Sequence, residues 1–184
     1  MLMFTVMSSY PRWIYFPRSE APPSWVSGVI SVFRNQRAQL DTVTVHNKSD
    51  VALSIIRPEL EGLGFRVEGG IQEPTIYRPV HFGEGGTPDR QYHIDSYHPG
   101  LKVGLEVEAG RSIRGNAIYR DIIQASLIVD LDYFVLAIPQ RYRFNLKKKE
   151  QEDKPFEYGL TVLDAIYSSN RFKLPLKGFL FVGF

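Results

Sequence analysis

Three acidic residues stand at a spacing that suits metal binding. Asp95 is followed by Glu106 and Glu108, which gives the pattern Asp-(x10)-Glu-x-Glu. Residues 101 to 109 alternate between apolar and polar types, so both glutamates point to one face of a predicted strand. Crowded carboxylates repel each other unless a cation compensates. Mg²⁺ prefers oxygen ligands, and a metal held by carboxylates can polarise a phosphoryl oxygen and activate water for phosphodiester hydrolysis.

A β-hairpin would bring Asp95 onto the face of the two glutamates. Residues 92 to 97 also alternate, and Pro99-Gly100 has turn chemistry. If these two residues form the turn, Asp95 lies across from Gly104. The same register pairs three further residues with the second strand: His93 with Glu106, Ile94 with Leu105 and Tyr92 with Val107. The alternation fixes which face each side chain takes more firmly than it fixes this pairing.

The rest of the chain predicts the elements that must position these acids. We expect helices at about 25–39, 51–63, 116–129 and 156–167, and Pro58 must kink or restart the second of them. Strands are expected at about 65–68, 75–82, 133–138 and 179–182, and a polar loop at 83–90. Residues 133–138 lack polar alternation, which indicates a strand buried on both faces. A strand, a helix and a buried strand form a crossover unit, most often parallel and right-handed. We therefore predict an α/β fold with a mixed central sheet flanked by helices.

Length and composition indicate how the chain is divided. With 184 residues and 43% hydrophobic residues, it can bury a core of its own. Residues 1–23 are predicted to form an extended arm, because the segment from 8 to 23 is rich in proline and aromatic residues. Such an arm packs over a core edge or binds a partner. Residues 24–184 are predicted to form one domain.

Several classes of protein are excluded by composition. The absence of cysteine rules out a disulfide scaffold, a thiol nucleophile and a cysteine metal cluster. No apolar run reaches the length of a membrane span, and the N-terminus lacks the features of a signal peptide. We therefore expect a soluble, cytoplasmic protein without membrane contact. The net charge is only +2, so any nucleic-acid surface must be a local basic patch.

The order of elements and acids resembles the core of the PD-(D/E)xK nuclease superfamily, the restriction-endonuclease-like fold. The resemblance covers about residues 50–140: a helix, a short strand, Asp95 on a hairpin strand, Glu106-x-Glu108 on the next strand, then a helix and a buried strand. It implies a nuclease dependent on Mg²⁺ or Mn²⁺ that cleaves nucleic acid, DNA more often than RNA. Asp95 and Glu106 would be metal ligands.

Two positions depart from the pattern of that superfamily. Ile94 precedes Asp95 where a proline is usual, which is a loose position. Glu108 stands where the superfamily usually has lysine. Glu108 could orient or deprotonate the attacking water, and Lys102 or Arg111 could supply the positive charge. The alternative is a catalytically inactive nucleic-acid-binding or assembly module with the same fold.

Each remaining candidate has a structural alternative beside its functional one. The acidic face itself could be a solvated strand face, although a strand followed by a crossover unit is expected to be internal. Glu59 lies on the apolar side of its helix and could be a further metal ligand or a salt-bridged boundary residue. His93 could assist water or make a structural hydrogen bond.

Basic residues that could contact nucleic-acid phosphates occur in two parts of the chain. Six basic residues are candidates for phosphate contacts: Arg111, Arg114, Arg141, Lys147, Lys148 and Lys149. The last four lie in a segment of mixed charge, which a solvated loop would also explain. Cleavage of both strands of a duplex would require a homodimer.

Overall fold

The computed structural model of the protein describes residues 10–69, 75–109, 116–146, 149–169 and 171–184. In chain order its elements are β1 (Arg12–Phe16), α1 (Trp25–Asn35), α2 (Arg37–Leu40), α3 (Ser49–Gly62), β2 (Arg66–Val67), β3 (Tyr77–Phe82), β4 (Pro88–His93), β5 (Ser96–His98), β6 (Val103–Val107), α4 (Ala117–Leu127), β7 (Tyr133–Ile138), β8 (Tyr142–Leu146), β9 (Lys149–Asp153), α5 (Pro155–Ser168) and β10 (Gly178–Gly183). A short 3-10 turn, Glu84–Gly86, joins β3 to β4.

A mixed six-stranded sheet flanked by helices forms the centre of the molecule, as the sequence predicts. Its strand order is β1-β10-β7-β6-β5-β2. Strands β6, β7 and β10 are parallel, whereas β1 is antiparallel to β10, β5 to β6, and β2 to β5. The predicted parallel crossover from β6 through α4 to β7 is therefore confirmed, and so is the strand at 133–138.

The core has two layers, one on each face of the sheet. Helices α1 and α3 cover one face, where Leu105 and Val135 are fully buried. Helices α4 and α5 cover the other, where Phe134 and Leu136 are fully buried. Strand β7 thus contributes side chains to both layers, which explains its unbroken apolar sequence.

The turn between β5 and β6 is longer than predicted. Residues 99–102 form it, and Tyr97 rather than Asp95 pairs with Gly104. The turn is anchored because the Lys102 carbonyl accepts backbone N–H groups from Asp132 (2.9 Å) and Tyr133 (3.1 Å). The register therefore differs by two residues from the prediction. Since the difference is even, Asp95 and Glu106 keep their common face.

A bend at Ile94 separates β4 from β5, so the predicted pairing of residues 92–94 with β6 is wrong. Strand β4 pairs with β3, and Tyr92 lies opposite Arg78. Ile94 packs over Gly104 on the α4 side of the sheet, where a Cβ on that glycine would stand 2.3 Å from Ile94 Cδ1. The missing side chain of Gly104 leaves room for the side chain of Ile94, which lies in this bend.

Three segments expected to be irregular contain strands. Residues 12–16 of the N-terminal arm form β1, residues 88–90 of the expected polar loop belong to β4, and the mixed-charge segment forms the hairpin β8–β9. Helix α4 ends at Leu127, before the predicted end at 129, and Val129 is 55% exposed. Among the described helices, none has the length and apolar character needed to cross a membrane.

Candidate functional site

A cavity of about 310 Å³ lies at the carboxyl end of β6 and collects acidic side chains from several elements. Its six carboxylates come from α3, the end of β2, the β4–β5 bend, β6 and its extension, and α4: Asp50, Glu68, Asp95, Glu106, Glu108 and Asp121. His93 and Arg120 also line it. We call it the acidic cavity. It contains all three acids of the Asp-(x10)-Glu-x-Glu pattern.

Asp95 is held by both neighbouring strands. Its carbonyl accepts the N–H of Glu68 at 3.0 Å. Its Oδ2 accepts the N–H of Val107 at 2.8 Å. Strand β5 begins at Ser96, which pairs with Leu105, so the Val107 amide lies beyond the ladder and Asp95 supplies its acceptor. These two hydrogen bonds fix the direction of the carboxylate.

Glu106 reaches the same place from β6 because of the strand alternation. Leu105 and Val107 point into the core under α3, so Glu106 points to the opposite face. There its carboxyl group lines the acidic cavity together with that of Asp95, and the two groups shift each other's pKa. Two neighbouring carboxyl groups in a buried place share a proton or a cation, because two full negative charges repel there.

The acidic cavity raises the pKa of its buried acids. Burial raises the pKa of Asp95 to about 6, and the charge of Glu68 adds to it, while the Val107 hydrogen bond opposes the increase. Burial, followed by the charges of Asp95 and Asp121, raises the pKa of Glu106 well above its usual range. Burial also raises the pKa of Asp121 to about 6, against the lowering effect of Arg120. A positive charge bound here would relieve this cost.

Glu68 and His93 add a second group of ligand atoms beside Asp95. His93 Nε2 lies 2.6 Å from Glu68 Oε2. One ligand atom from each of these two side chains and one from Asp95 lie within 4.8 Å of one another. Oxygen and imidazole nitrogen together suit a divalent cation such as Mn²⁺. His93 therefore makes a hydrogen bond and also stands where a ligand could.

Helix α4 brings a cation and a buried acid to the acidic cavity. Arg120 Nη2 lies 2.9 Å from Asp121 Oδ1 and 3.5 Å from Glu108 Oε2. Asp121 is 5% exposed, since it lies on the sheet-facing side of the helix between Ile118 and Ala125. The hydrogen bond to Asp121 is the largest cause that raises the pKa of Arg120.

Helix α3 contributes Asp50, not the predicted Glu59. The hydroxyl of Ser49 accepts the N–H of Ala109 at 2.9 Å, which joins the start of α3 to the end of β6. Glu59 lies nine residues after Asp50, about 13 Å further along the helix. Its carboxylate accepts hydrogen bonds from Asn35 (2.8 Å) and Gln36 (2.5 Å) instead. The structure therefore places it at the junction with α1.

The basic residues suggested by the sequence fall outside the acidic cavity or outside the described residues. Lys102 is exposed in the β5–β6 turn and does not line the acidic cavity. Arg141 lies beyond β7, 3.6 Å from Glu152. Lys149 begins β9. Four others lie outside the described residues: Arg111, Arg114, Lys147 and Lys148.

Sequence reasoning did not single out Arg120, Asp121, Glu68 or Asp50 as site residues. A signal for Asp121 exists, because it stands three residues after Ile118 and four before Ala125, on the apolar stripe of α4. Glu68 carries no comparable signal, since its position depends on how two separate strands pair.

No family model matches the chain, and no curated protein or solved structure matches it either.

Proposed function

We propose that the protein is a metal-dependent phosphodiester hydrolase that acts on nucleic acid, with DNA as the favoured substrate. The observation that carries this proposal is the convergence of Asp95 and Glu106 in one cavity with four further carboxylates. A cavity lined by this many carboxylates is electrostatically unfavourable unless a cation binds in it. Perturbed pKa values in a cleft are also typical of functional sites.

The order of elements supports membership of the PD-(D/E)xK superfamily. Helix α3, strands β2, β5 and β6, helix α4 and strand β7 follow one another in the order expected from the resemblance. Among the described residues of this stretch, the β3–β4 hairpin is inserted between β2 and β5. Asp95 lies in the bend directly before β5, Glu106 lies on β6, and β5 pairs with β6. The proposal thus rests on topology and residue placement together.

The donor set fits Mg²⁺ or Mn²⁺. Asp95 and Glu106 would hold the ion, and Glu68 with His93 extends the donors on the other side of Asp95. A divalent cation bound there would supply positive charge to the phosphoryl oxygens. Hard oxygen donors with room for water and phosphate are the usual surroundings of such ions, and the acidic cavity offers both.

The chain's own residues would supply the remaining groups. Glu108 lines the acidic cavity and is suited to accept a proton from the attacking water. Arg120 takes the role suggested earlier for Lys102 or Arg111, since its guanidinium is the cation that lines this cavity among the described residues. It would stabilise charge on the phosphate in the transition state.

A second candidate function follows from Glu108. An acid stands at the position where the superfamily usually has lysine, and it lies beside Arg120. If this arrangement does not activate water, the protein is an inactive nucleic-acid-binding or assembly module with the same fold. The two candidates differ in cleavage, not in binding.

Metal titration and cleavage assays test the proposal. We expect Mg²⁺ or Mn²⁺ to bind by calorimetry, and plasmid or single-stranded DNA to be cut only in its presence. Glu106→Gln should abolish both, whereas Arg120→Gln should retain metal binding and reduce the cleavage rate at least 10-fold. Glu59→Gln is the matched control, because that carboxylate lies at the α1 junction.

Two results would contradict the proposal. If the Glu106→Gln variant still cleaved DNA, Glu106 would not be required for the reaction. Metal and DNA binding without any cleavage would favour the inactive module. The homodimer and the cytoplasmic location stay predictions, and sedimentation at several protein concentrations tests the homodimer.

A further inference from the structure

Two further cavities continue from the acidic cavity along the same edge of the sheet. The middle cavity, of about 230 Å³, lies between the ends of β6 and β7 and is lined by Ala109 and Pro139. The outer cavity, of about 440 Å³, lies beyond the end of β7 and is lined by Gln140. Arg141 lines both cavities. Because parallel strands end on one edge, the three cavities form a row.

Charge is separated along this row. The acidic cavity has six carboxylates and one arginine. The middle and outer cavities together are lined by six lysines and arginines, which we call the basic track: Arg12, Arg37, Lys48, Arg141, Arg143 and Lys154. Among the described residues that line these two cavities, Asp41 and Glu157 are the only acidic ones. With a net charge of +2 for the whole chain, this is a local separation of charge.

Ion pairs within the fold do not account for the whole basic track. Arg37 pairs with Asp41 at 3.2 Å, Arg12 pairs with Glu157, and Arg143 shares Glu152 with Arg141. These pairs are partly exposed, so each contributes little to stability and can be exchanged for a ligand. Within the described part of the chain, Lys48 and Lys154 form no ion pair.

A buried threonine fixes the centre of the basic track. Thr42 is 4% exposed, and its hydroxyl donates to the carbonyl of Phe184. The same oxygen accepts the backbone N–H groups of Gln140 at 3.1 Å and Arg141 at 3.3 Å. The backbone of Arg141 is therefore held in place before any ligand binds. A fixed anchor of this kind reduces the ordering cost of binding.

We propose that the basic track binds successive backbone phosphates of the nucleic-acid strand whose scissile bond enters the acidic cavity. This inference rests on the proposed function and gives the substrate a path. Neighbouring strands are about 4.8 Å apart, so the ends of β6 and β10 are separated by roughly 10 Å, a span of a few nucleotides. Because these side chains would contact phosphates, binding is independent of base sequence.

The test measures binding without metal. Fluorescence anisotropy of labelled single-stranded and duplex oligonucleotides in EDTA gives the dissociation constant at several salt concentrations. The double variant Lys48→Gln/Arg141→Gln should bind at least 10-fold more weakly, with the slope of log K against log salt reduced by about 1.5 to 2. Its circular dichroism and its calorimetric metal binding should match those of the wild type.

The control double variant removes two positive charges outside the basic track and the acidic cavity. Arg18 and Lys173 are exposed and line neither the basic track nor the acidic cavity. Arg18→Gln/Lys173→Gln should bind within twofold of the wild type with an unchanged slope. Equal losses in both double variants, or no loss in the first, would overturn the basic track. So would equal competition by a polyglutamate peptide, which would indicate an acidic protein partner.

The binding test of the basic track and the cleavage test of the hydrolase can fail independently. If wild type cleaves DNA and Glu106→Gln does not, but Lys48→Gln/Arg141→Gln binds normally, the hydrolase stands and the track is wrong. If that double variant loses binding and wild type never cleaves, the track stands and the hydrolase is wrong.

Discussion

At the scale of single residues, the raised pKa values of Asp95 and Asp121 make stability depend on pH. Both acids ionise near pH 4 in an unfolded chain and near pH 6 in the fold. Between these values the folded state binds more protons, so the free energy of unfolding falls as pH rises from 4 to 6. The loss is at most about 3 kcal/mol for each acid. Urea unfolding at pH 4 to 7 in EDTA measures it.

Substitution of Asp95 tests whether this residue causes the pH dependence of the free energy of unfolding. Asp95→Asn removes the titrating group and keeps an oxygen acceptor for the Val107 N–H, so stability should fall less steeply between pH 4 and 6. Asp89→Asn, on exposed β4, removes a carboxylate outside the acidic cavity and is the control. Saturating Mg²⁺ or Mn²⁺ should flatten the wild-type curve. A slope in Asp95→Asn as steep as in the wild type would contradict the assignment.

The sequence identified part of the site because strand alternation is local. Glu106 and Glu108 share a face for a reason visible within nine residues, and the even register difference left Asp95 on that face. Glu59 was misplaced because an apolar helix face does not tell how far along the helix the site lies. The contribution of Glu68 depends on pairing between strands 30 residues apart, which no local pattern encodes.

At the scale of elements, the bend between β4 and β5 depends on Gly104. A Cβ at this position would meet Ile94 Cδ1 at 2.3 Å and Leu131 Cδ1 at 2.7 Å. We expect Gly104→Ala to lower the free energy of unfolding by about 1 to 3 kcal/mol, because the core must move to accommodate the methyl group. Chemical denaturation measures the change, and Ile94→Val in the same chain should recover part of it.

A second glycine provides the comparison. Gly62, the last residue of α3, has open space where a Cβ would be. Gly62→Ala should therefore be neutral or stabilise by up to about 1 kcal/mol. If Gly104→Ala were as stable as Gly62→Ala, the bend would not depend on the missing side chain.

Turns and hairpins were harder to predict than buried elements. The helices carried periodic apolar patterns, and residues 133–138 form an unbroken apolar run, so both kinds of element could be predicted from local sequence. Pro99-Gly100 suits a two-residue turn, but the backbone bonds from Asp132 and Tyr133 to Lys102 hold a four-residue one. The hairpin β8–β9 has a charged sequence, and strand formation there depends on cross-strand pairing and not on an apolar face.

At the scale of the whole molecule, β1 protects the edge of the sheet. Strand β10 is buried along its entire length, and β1 pairs with it at five positions. Deletion of residues 1–17 would expose the apolar edge of β10. We expect the truncated protein to aggregate, as measured by size-exclusion chromatography with light scattering. Deletion of residues 1–9 keeps β1 and serves as the control, and a monomeric, soluble 1–17 deletion would contradict the prediction.

The pairing of β1 with β10 also has a consequence for how the protein is made. Arg12 pairs with Gly183, so β1 must remain without its partner strand until a segment about 170 residues further along the chain has been translated. Contacts this distant in sequence slow folding, because the loop between them must close first. The pairing of β1 is therefore a late step in the formation of the sheet, and β1 presents unpaired backbone groups until β10 is available.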